Sequence, residues 1–577
     1  MLQIAYGEAN FENLRKRNNF FIDKTRFIPL MEKVQKFFFI RPRRFGKSLW
    51  ISVLMAYYDI NGKEKFDELF DGLYIKENPT DYKNSYLVLK FDFSGLNTVS
   101  LESLRNDFNG RIRSSVEQLF RSYGSIFGNE FYIQFLEKSE NMSASTMIDF
   151  LKKESTNTGN RVYTFIDEYD HFANKLASEG REAFVRDIIS QTGFVRDFYE
   201  QLKIGSGEGV FERFYITGVS PIMLDELASG FNIMSNMTTD YDYNEMLGFT
   251  QEEVKGILDQ VSDDKFIIKT KEEVFEDLVQ YYNGYKFNPI TEVTVFNSDM
   301  VVYFFQHFSR HGYPDEILDL NVKTDYSKLR GLIVGTSGKK KLQEIIEELN
   351  EKSVIEVDLV QRFNFEKRFD DNEIKSLLYF FGLLTYKGIE EMVIPNHVIK
   401  VLFWEYLRNF LEEEKEIEFH IEPLKKALKA MAKEGNPEYL KDLAEEFFFT
   451  KLSSYDYSNL SEKHIKILFL SYFTLSKLYN IVSEREIGER KRIDLLFEAN
   501  PAYYNYVLYN FIVEFKYIRK TDSEDKTKKK REEAIEQAKE NYEIYKQNFK
   551  QFGRELRSVA LVVSHTQGVE LMKLGGF

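Results

Sequence analysis

Apolar residues in this chain follow two rhythms. Short unbroken runs read as strands buried on both faces, and apolar positions three and four apart read as amphipathic helices. Phe37-Phe38-Phe39-Ile40, the segment Arg161–Asp170 and the segment Glu212–Gly218 are of the first kind. Leu101–Tyr123 and Glu182–Lys203 are of the second, and are predicted to pack against the sheet those strands form. Residues 250–310 read as mostly helical. They open on Thr250 and Glu253 at capping-box spacing and are predicted to lie as a lid over the first sheet's ligand. A charged stretch, Thr336–Ser353, begins a connector, after which Asn372–Lys387, Glu391–Ile394 and His397–Phe410 read as helix, hairpin and helix. That order suits a winged-helix-like module, and equally a plain helical bundle. Farther on, Arg492–Glu498 and Tyr509–Tyr517 read as strands. Lys528–Phe549 reads as a helix with Ala534, Gln537, Ala538, Tyr542 and Tyr545 at helical spacing. The fold class is α/β.

Between the first strand and the helix after it lies Gly46-Lys47-Ser48. A loop entering a helix aims free N–H groups at one point and adds the positive end of the helix dipole, which is a phosphate site. Lys47 would reach the β- and γ-phosphates and Ser48 would ligate Mg²⁺. The usual pattern carries a glycine separated by four residues from Gly46-Lys47, where this chain has Arg41. The expectation is that Arg41, Arg43 and Arg44 keep the loop electropositive whatever its geometry. The run ending in Asp167-Glu168-Tyr169-Asp170 brings acids to a strand's carboxyl end, where ligand sites collect in parallel sheets. Asp167 would hold Mg²⁺ through water, Glu168 would polarise the attacking water, and Thr217 on the next strand would sense the γ-phosphate.

Composition narrows this picture. At 577 residues the chain has room for about three or four domains of roughly 150 residues. Its 53 Phe and 35 Tyr supply ample core and argue against disorder. Cysteine is absent, which excludes disulfides and thiolate zinc sites. Of the seven histidines only His307 and His311 fall within one helical turn, so a metal would be a hard cation on carboxylates, Mg²⁺ above all. The N-terminus lacks a basic and apolar leader, and no uncharged stretch reaches membrane-spanning length, so a cytoplasmic location is expected. A net charge of −14 argues against a surface coated for nucleic acid but leaves room for a local basic groove. Ile518–Arg531 is the densest cationic stretch and by itself reads as a solvated loop.

A second constellation lies near the end. Asp494 sits on one predicted strand, and Glu514 and Lys516, two apart, share a face of the next. Two carboxylates can hold Mg²⁺ while the ammonium orients water and offsets charge developing on a phosphate. The apolar flanks Phe511, Ile512, Val513, Phe515 and Tyr517 predict burial, where the carboxylates would offset the desolvation of Lys516.

The string Arg41-Pro42-Arg43-Arg44-Phe45-Gly46-Lys47-Ser48-Leu49 resembles throughout the phosphate loop of the bacterial AAA-ATPase-like family. Phe21–Thr25, Ile166–Asp170, Ile216–Ser220, Tyr282–Tyr285 and Ile394–Asn396 resemble further segments of that family. The C-terminal region is similar to the PD-(D/E)XK nuclease-like domain that commonly follows this ATPase. Asp494, Glu514 and Lys516 fall on its core motif, Glu462 on the preceding helix, and Gln537 and Tyr542 on the following one. The chain departs at Gly488-Glu-Arg-Lys-Arg492, where the family tends to have Gly-x-Gly-Arg, and Glu484 and Glu486 receive no role. The resemblance implies an AAA/ASCE-type phosphate-loop sheet over residues 1–230, a helical lid over 231–335, a winged-helix-like connector over 336–450 and a restriction-endonuclease-like α/β domain over 451–577.

Two functional expectations stay open. One is an ATP-controlled, Mg²⁺-dependent nuclease acting on nucleic acid through the C-terminal domain, with DNA the expected one. The other is a nucleotide-switched protein that binds DNA or a partner through a nuclease-like domain that does not cut. ATP is the expected ligand in either case, and oligomerisation is left open.

Overall fold

In a computed structural model of the chain, the described residues are 3–178, 193–223, 233–266, 268–319, 331, 339–363, 369–415, 418–451, 462–473, 475–487, 491–549, 553–564 and 567–577. Residues 182–192 of the helix expected over Glu182–Lys203, and 488–490 of the departing motif, lie outside them.

The first three apolar runs fold as strands of one parallel sheet. Its members are β1 (Lys36–Phe38), β2 (Leu87–Asp92), β3 (Val162–Asp167), β4 (Phe211–Ile216) and β5 (Ser235–Asn236), in the order β2-β3-β4-β1-β5. All six residues of β3 are buried, as a strand covered on both faces requires. The helices Lys47–Tyr58, Leu101–Ser122 and Phe194–Gly207 pack on this sheet. Leu101–Ser122 buries Leu104, Phe108, Ile112, Val116 and Leu119 at the spacing that predicted it, and Ser100 caps its first turn. Phe108 stacks on Phe93 and meets Phe198 edge-on, and each such buried ring contributes about 2 kcal/mol. Because β4 lies between β1 and β3, the glycine-lysine loop and the acidic strand end are two strand spacings apart, about 10 Å.

Residues 250–310 form helices Gln251–Leu258, Lys271–Tyr282 and Ser298–His311, and the predicted capping box at Thr250 and Glu253 is present. The charged connector is the helix Lys339–Lys352. Helix Asp371–Phe380, a hairpin and helix His397–Lys415 follow in the predicted order. The hairpin strands β7 (Thr385–Tyr386) and β8 (Glu391–Val393) form an antiparallel sheet with β6 (Ile355–Glu356). Two strings far apart in sequence meet here. Asn396 donates to the Asn283 carbonyl at 2.8 Å, and Gly284 lies so close to Pro395 that a Cβ would sit 2.1 Å from its carbonyl oxygen. Gly284 has φ +103°, which is open to glycine.

The C-terminal sheet is mixed, in the order β13-β12-β11-β10-β9: β9 (Tyr479–Ile487), β10 (Lys491–Ala499), β11 (Tyr509–Ile518), β12 (Glu555–Ser564) and β13 (Gly568–Lys573). Strands β11 and β12 are parallel, joined by the crossover helix Glu524–Asn548, whose Ala534 and Ala538 pack on Ile518, Ala560 and Val562. The cationic stretch expected as a loop is thus in large part the first turns of that helix, with Ser523 as its N-cap. Helix Glu462–Phe473 covers the opposite face through Phe469 and Phe515. One apolar core runs from Phe11 to Tyr406 and a second from Trp404 to Val569, so the helices between Gln251 and His311 and the helix-hairpin-helix after them share the first sheet's core. Among the described residues no helix is long and apolar enough to cross a membrane.

Candidate functional site

A cleft of about 530 Å³ opens at the carboxyl ends of β1 and β3. The loop after β1 forms its floor. Gly46 (φ +84°) and Arg44 (φ +65°) take left-handed conformations that turn the chain into helix Lys47–Tyr58. Lys47 is buried and donates to the carbonyls of Arg41 and Pro42, both at 3.0 Å, which closes the loop on itself. Burial lowers its pKa, opposed by Glu168, Asp167 and Asp170. Asp167 accepts a hydrogen bond from Ser48 and lies 3.6 Å from Lys90. Burial holds its carboxyl above the ordinary range, against both of those partners. Glu168 ends β3 with φ +52°, a strained turn that lines the cleft. Burial pushes its pKa up, but the hydrogen bond with His171 and the charges of Lys47 and Arg43 prevail and bring it down to about 2. Glu168 is therefore ionised at neutral pH and able to accept a hydrogen bond.

Arg43 and Arg44 line the cleft, and Arg44 pairs with Asp299 at 3.0 Å. Arg41 corrects the expectation of an arginine trio. Its guanidinium lies between the Phe39 and Phe287 rings, 3.9 and 4.0 Å from their centroids. It donates to the carbonyls of Ile40, Thr238 and Tyr243. Burial lowers its pKa to about 9, so it stays charged, as a strut beneath the loop. Phe45 packs edge-on against Tyr285 and Phe287 on the same side. The loop thus leans on the 282–287 segment where a glycine-rich loop would curl on itself. Thr217 is likewise turned from the cleft: it is fully buried and donates to the Phe39 carbonyl at 2.6 Å. Asp170 clamps the start of the segment after β4, accepting from Val219 and from both the N–H and hydroxyl of Ser220.

Residues beyond the first sheet reach the same cleft. Met246–Phe249, Ser298, Asp299 and Val302 line it, and the Asp299 N–H and Ser298 hydroxyl donate to the Arg44 carbonyl. Ile4, Ala5, Ile22 and Leu247 complete an apolar wall.

The second centre arises where β10 and β11 part. Their pairing runs from Phe497↔Phe511 to Leu495↔Val513 and stops. Beyond it carboxylates accept from the freed backbone donors. The Asp494 N–H donates to Glu514 at 3.4 Å, the Phe515 N–H to Asp494 at 3.0 Å and the Tyr517 N–H to Glu462 at 3.1 Å. Asp494 and Glu514 are thereby brought together. Burial first, and the Asp494 carboxylate second, hold Glu514 well above the usual carboxylate range, so the pair retains a proton. Lys516 is turned to Glu462, 3.5 Å away. The flanking Phe511, Ile512, Val513, Phe515 and Tyr517 are all buried, as expected.

Two residues at this centre escaped the sequence reading. Asn541 donates to Glu514 at 2.6 Å and to the Arg492 carbonyl, whereas Gln537, which the resemblance put on this helix without a fixed role, is exposed. Asn541 belongs to the stripe Ala534, Ala538, Tyr545, so the helical period could have found it. Lys466 pairs with Asp494 at 3.0 Å and with Glu484. It follows Glu462 by one turn on the same helix face, which was its only signal. Among the described residues no three His, Asp or Glu side chains gather on one point. Each centre instead offers a pair of oxygen side chains, Ser48 with Asp167 and Asp494 with Glu514, which suits a hard cation that keeps most of its waters.

Residues 5–228 match the family described as predicted AAA-ATPase, and residues 460–571 match the PD-(D/E)XK nuclease superfamily. The chain joins an AAA-ATPase-like domain to a PD-(D/E)XK nuclease-superfamily domain. An uncharacterized protein in the vnfD 5′ region of Azotobacter chroococcum mcd 1 is 23% identical over 326 residues. That match spans 55% of this chain and 56% of the relative, just over half its length. Among solved structures, the Walker-type ATPase PABY2304 of Pyrococcus abyssi is 15% identical with a TM-score of 0.35, covering 67% of this chain and 97% of that one. The ORC2 protein of Aeropyrum pernix, in ADPNP–ADP complexes, is 10% identical with a TM-score of 0.30, covering 70% and 94%. The AAA-ATPase-like domain holds the cleft, and the nuclease-superfamily domain holds the Asp494–Glu514 pair.

Proposed function

We propose that this protein is a Mg²⁺-dependent nuclease acting on DNA and controlled by ATP. The observation that carries this reading is the convergence of Asp494 and Glu514 at the strand fork, in a chain whose other end presents Lys47, Ser48, Asp167 and Glu168 to one cleft. Residues 1–230 would form the nucleotide-binding part, 231–335 its lid, 336–450 the connector and 451–577 the cutting part.

In the cleft, Lys47 would exchange the Arg41 and Pro42 carbonyls for phosphate oxygens, joined by the first N–H groups of its helix. Ser48 and Asp167 would hold Mg²⁺, and Glu168 would orient water toward the terminal phosphate. The apolar wall of Ile4, Ala5, Ile22 and Leu247 suits a purine base. Arg44, whose carbonyl is held by the lid, places the lid next to the terminal phosphate. At the fork, Asp494 and Glu514 would hold the divalent cation, which supplies positive charge to a phosphate and acidifies its water. Asn541 fixes the Glu514 carboxyl. Lys516 would exchange Glu462 for the scissile phosphate or its attacking water.

The alternative, a nucleotide-switched binder of DNA or a partner, is favoured by one observation: both lysines at the fork are already paired, Lys516 with Glu462 and Lys466 with Asp494. Purified protein incubated with plasmid and single-stranded DNA, with Mg²⁺ or Mn²⁺ and with or without ATP, separates the two. The nuclease reading expects cleavage that Glu514→Ala abolishes and Lys516→Ala cuts severely. It expects Lys47→Ala to weaken nucleotide binding about 100-fold and remove the ATP dependence, since hydrogen bonds to a charged donor are each worth about 1.5–3 kcal/mol. No metal-dependent cleavage under any nucleotide condition would leave the binding reading.

A further inference from the structure

Lys466 has no part in the chemistry assigned above, yet its position is built with care. Its ammonium reaches Asp494 Oδ1 at 3.0 Å and also pairs with Glu484, and its side chain is only 7% exposed. Glu484 stands across from Asp494 in the β9–β10 ladder, between the pairs Ser483↔Leu495 and Arg485↔Ile493. It adopts φ +57°, a left-handed conformation unfavourable for a non-glycine residue. That strain occurs in mid-strand, where no turn requires it, and it brings the carboxylate to Lys466. One helical turn away, Glu462 on the same helix engages Lys516 and the Tyr517 N–H. The helix Glu462–Phe473 therefore lays an anion and a cation across the fork, each against an opposite charge.

We propose that Lys466 is a resident counter-cation that competes with a divalent ion for Asp494, with Glu484 as the acceptor that keeps the ammonium once it is displaced. The proposal rests on the metal-site reading of Asp494 and Glu514. A half-buried carboxylate stripped of the ammonium paired with it is costly, so Lys466 keeps the centre folded before metal arrives. The same charge raises the metal concentration at which the centre fills. Glu484 lowers the barrier to exchange, because Lys466 gives up one of two partners and not both.

The test is Mn²⁺ titration of the full chain without nucleotide, by calorimetry and by the rise in melting temperature. Glu514→Gln identifies the signal of this centre. Lys466→Met is expected to bind Mn²⁺ about tenfold tighter or more, from a less stable metal-free state that Mn²⁺ restores. Lys466→Arg, which keeps the charge, is expected to stay near wild type. Glu484→Gln is expected to bind several-fold more weakly, and carries the test if Lys466→Met does not fold without metal. Unchanged or weaker binding by folded Lys466→Met, or tighter binding by Glu484→Gln, overturns the role of Lys466. Absence of any Mn²⁺ signal sensitive to Glu514→Gln, in wild type and variants alike, overturns the metal-site reading itself.

Discussion

The two centres are assembled in opposite ways. In the cleft, the residues from Arg41 to Leu49 are consecutive, and one loop between a strand and a helix supplies Lys47 and Ser48, faced by Asp167 and Glu168 at the end of β3. At the fork, Glu462, Lys466, Glu484, Asp494, Glu514, Lys516 and Asn541 arrive from two helices and three strands. Their charges also differ in arrangement. Lys47 is held by neutral backbone carbonyls with Glu168 and Asp167 nearby, so an incoming anion would displace carbonyls and not a carboxylate. The fork is already neutralised by internal pairs, so a ligand there must exchange partners. A loop is suited to bind and release, whereas a neutralised fork is suited to stay closed until something rearranges it. The lid and connector that separate them share the first core and also touch the second sheet. Gln280 accepts from Arg485 at 2.5 Å, and the Tyr281 hydroxyl accepts from Asn480 at 2.9 Å.

The comparison breaks most easily at the joint beneath the cleft. If the loop's shape depends on the 282–287 segment, Gly284→Ala should destabilise the protein by about 3 kcal/mol or more, through its clash with Pro395 and its φ. Nucleotide affinity should fall with it, and chemical denaturation with nucleotide titration would show both. An unchanged midpoint would mean the loop stands by itself.

Next in size is a pH effect at the boundary between the two cores. His397 is buried beside Tyr281 and Trp404, and burial, then the charges of Lys400 and Arg485, lower its pKa to about 3. The unfolded chain takes up this proton below about pH 6.5 while the folded chain does not, so stability is full above that value and declines as pH falls. The expected loss between pH 7 and pH 5 is about 2 kcal/mol, and His397→Phe should flatten that part of the profile.

A smaller effect sharpens the view of the fork. Asn541→Ala removes the donor to Glu514 and should lower stability by about 1–2 kcal/mol. Gln537→Ala, on the exposed face, should change neither stability nor metal binding measurably. Equal effects from the two would return Gln537 to the site. The smallest effect belongs to Thr217→Val, about 1 kcal/mol of stability with nucleotide affinity within about twofold, because the hydroxyl serves Phe39 and not the cleft. A large loss of affinity would restore Thr217 as a phosphate sensor.

Legibility followed the same division. Strand runs, the capping box at Thr250, the helix-hairpin-helix order and the stripe on helix Glu524–Asn548 were readable because each depends on neighbours within a few residues. The meeting of Gly46, Lys47, Ser48, Asp167 and Glu168 at one cleft was readable because each lies at the carboxyl end of a strand in a parallel sheet. Thr217 was misplaced because its residue type allows a phosphate contact and nothing local shows which way a side chain turns at a strand end, and Arg41, expected only to add charge to the loop, gave no sign that it would lie between two rings. Asn541 and Lys466 were missed because their partners lie 27 and 28 residues away along the chain.

The amino-acid sequence by itself determined the periodicities, and with them the two sheets, their covering helices and the loop chemistry at Lys47. Tertiary structure alone decided which groups meet: Arg41 between two rings, Gly284 against Pro395, and Lys466 between Asp494 and Glu484. Period and propensity act over one or two turns of chain, whereas the energy of a buried charge depends on whatever the fold brings within a few ångströms, and residues distant in sequence supply it.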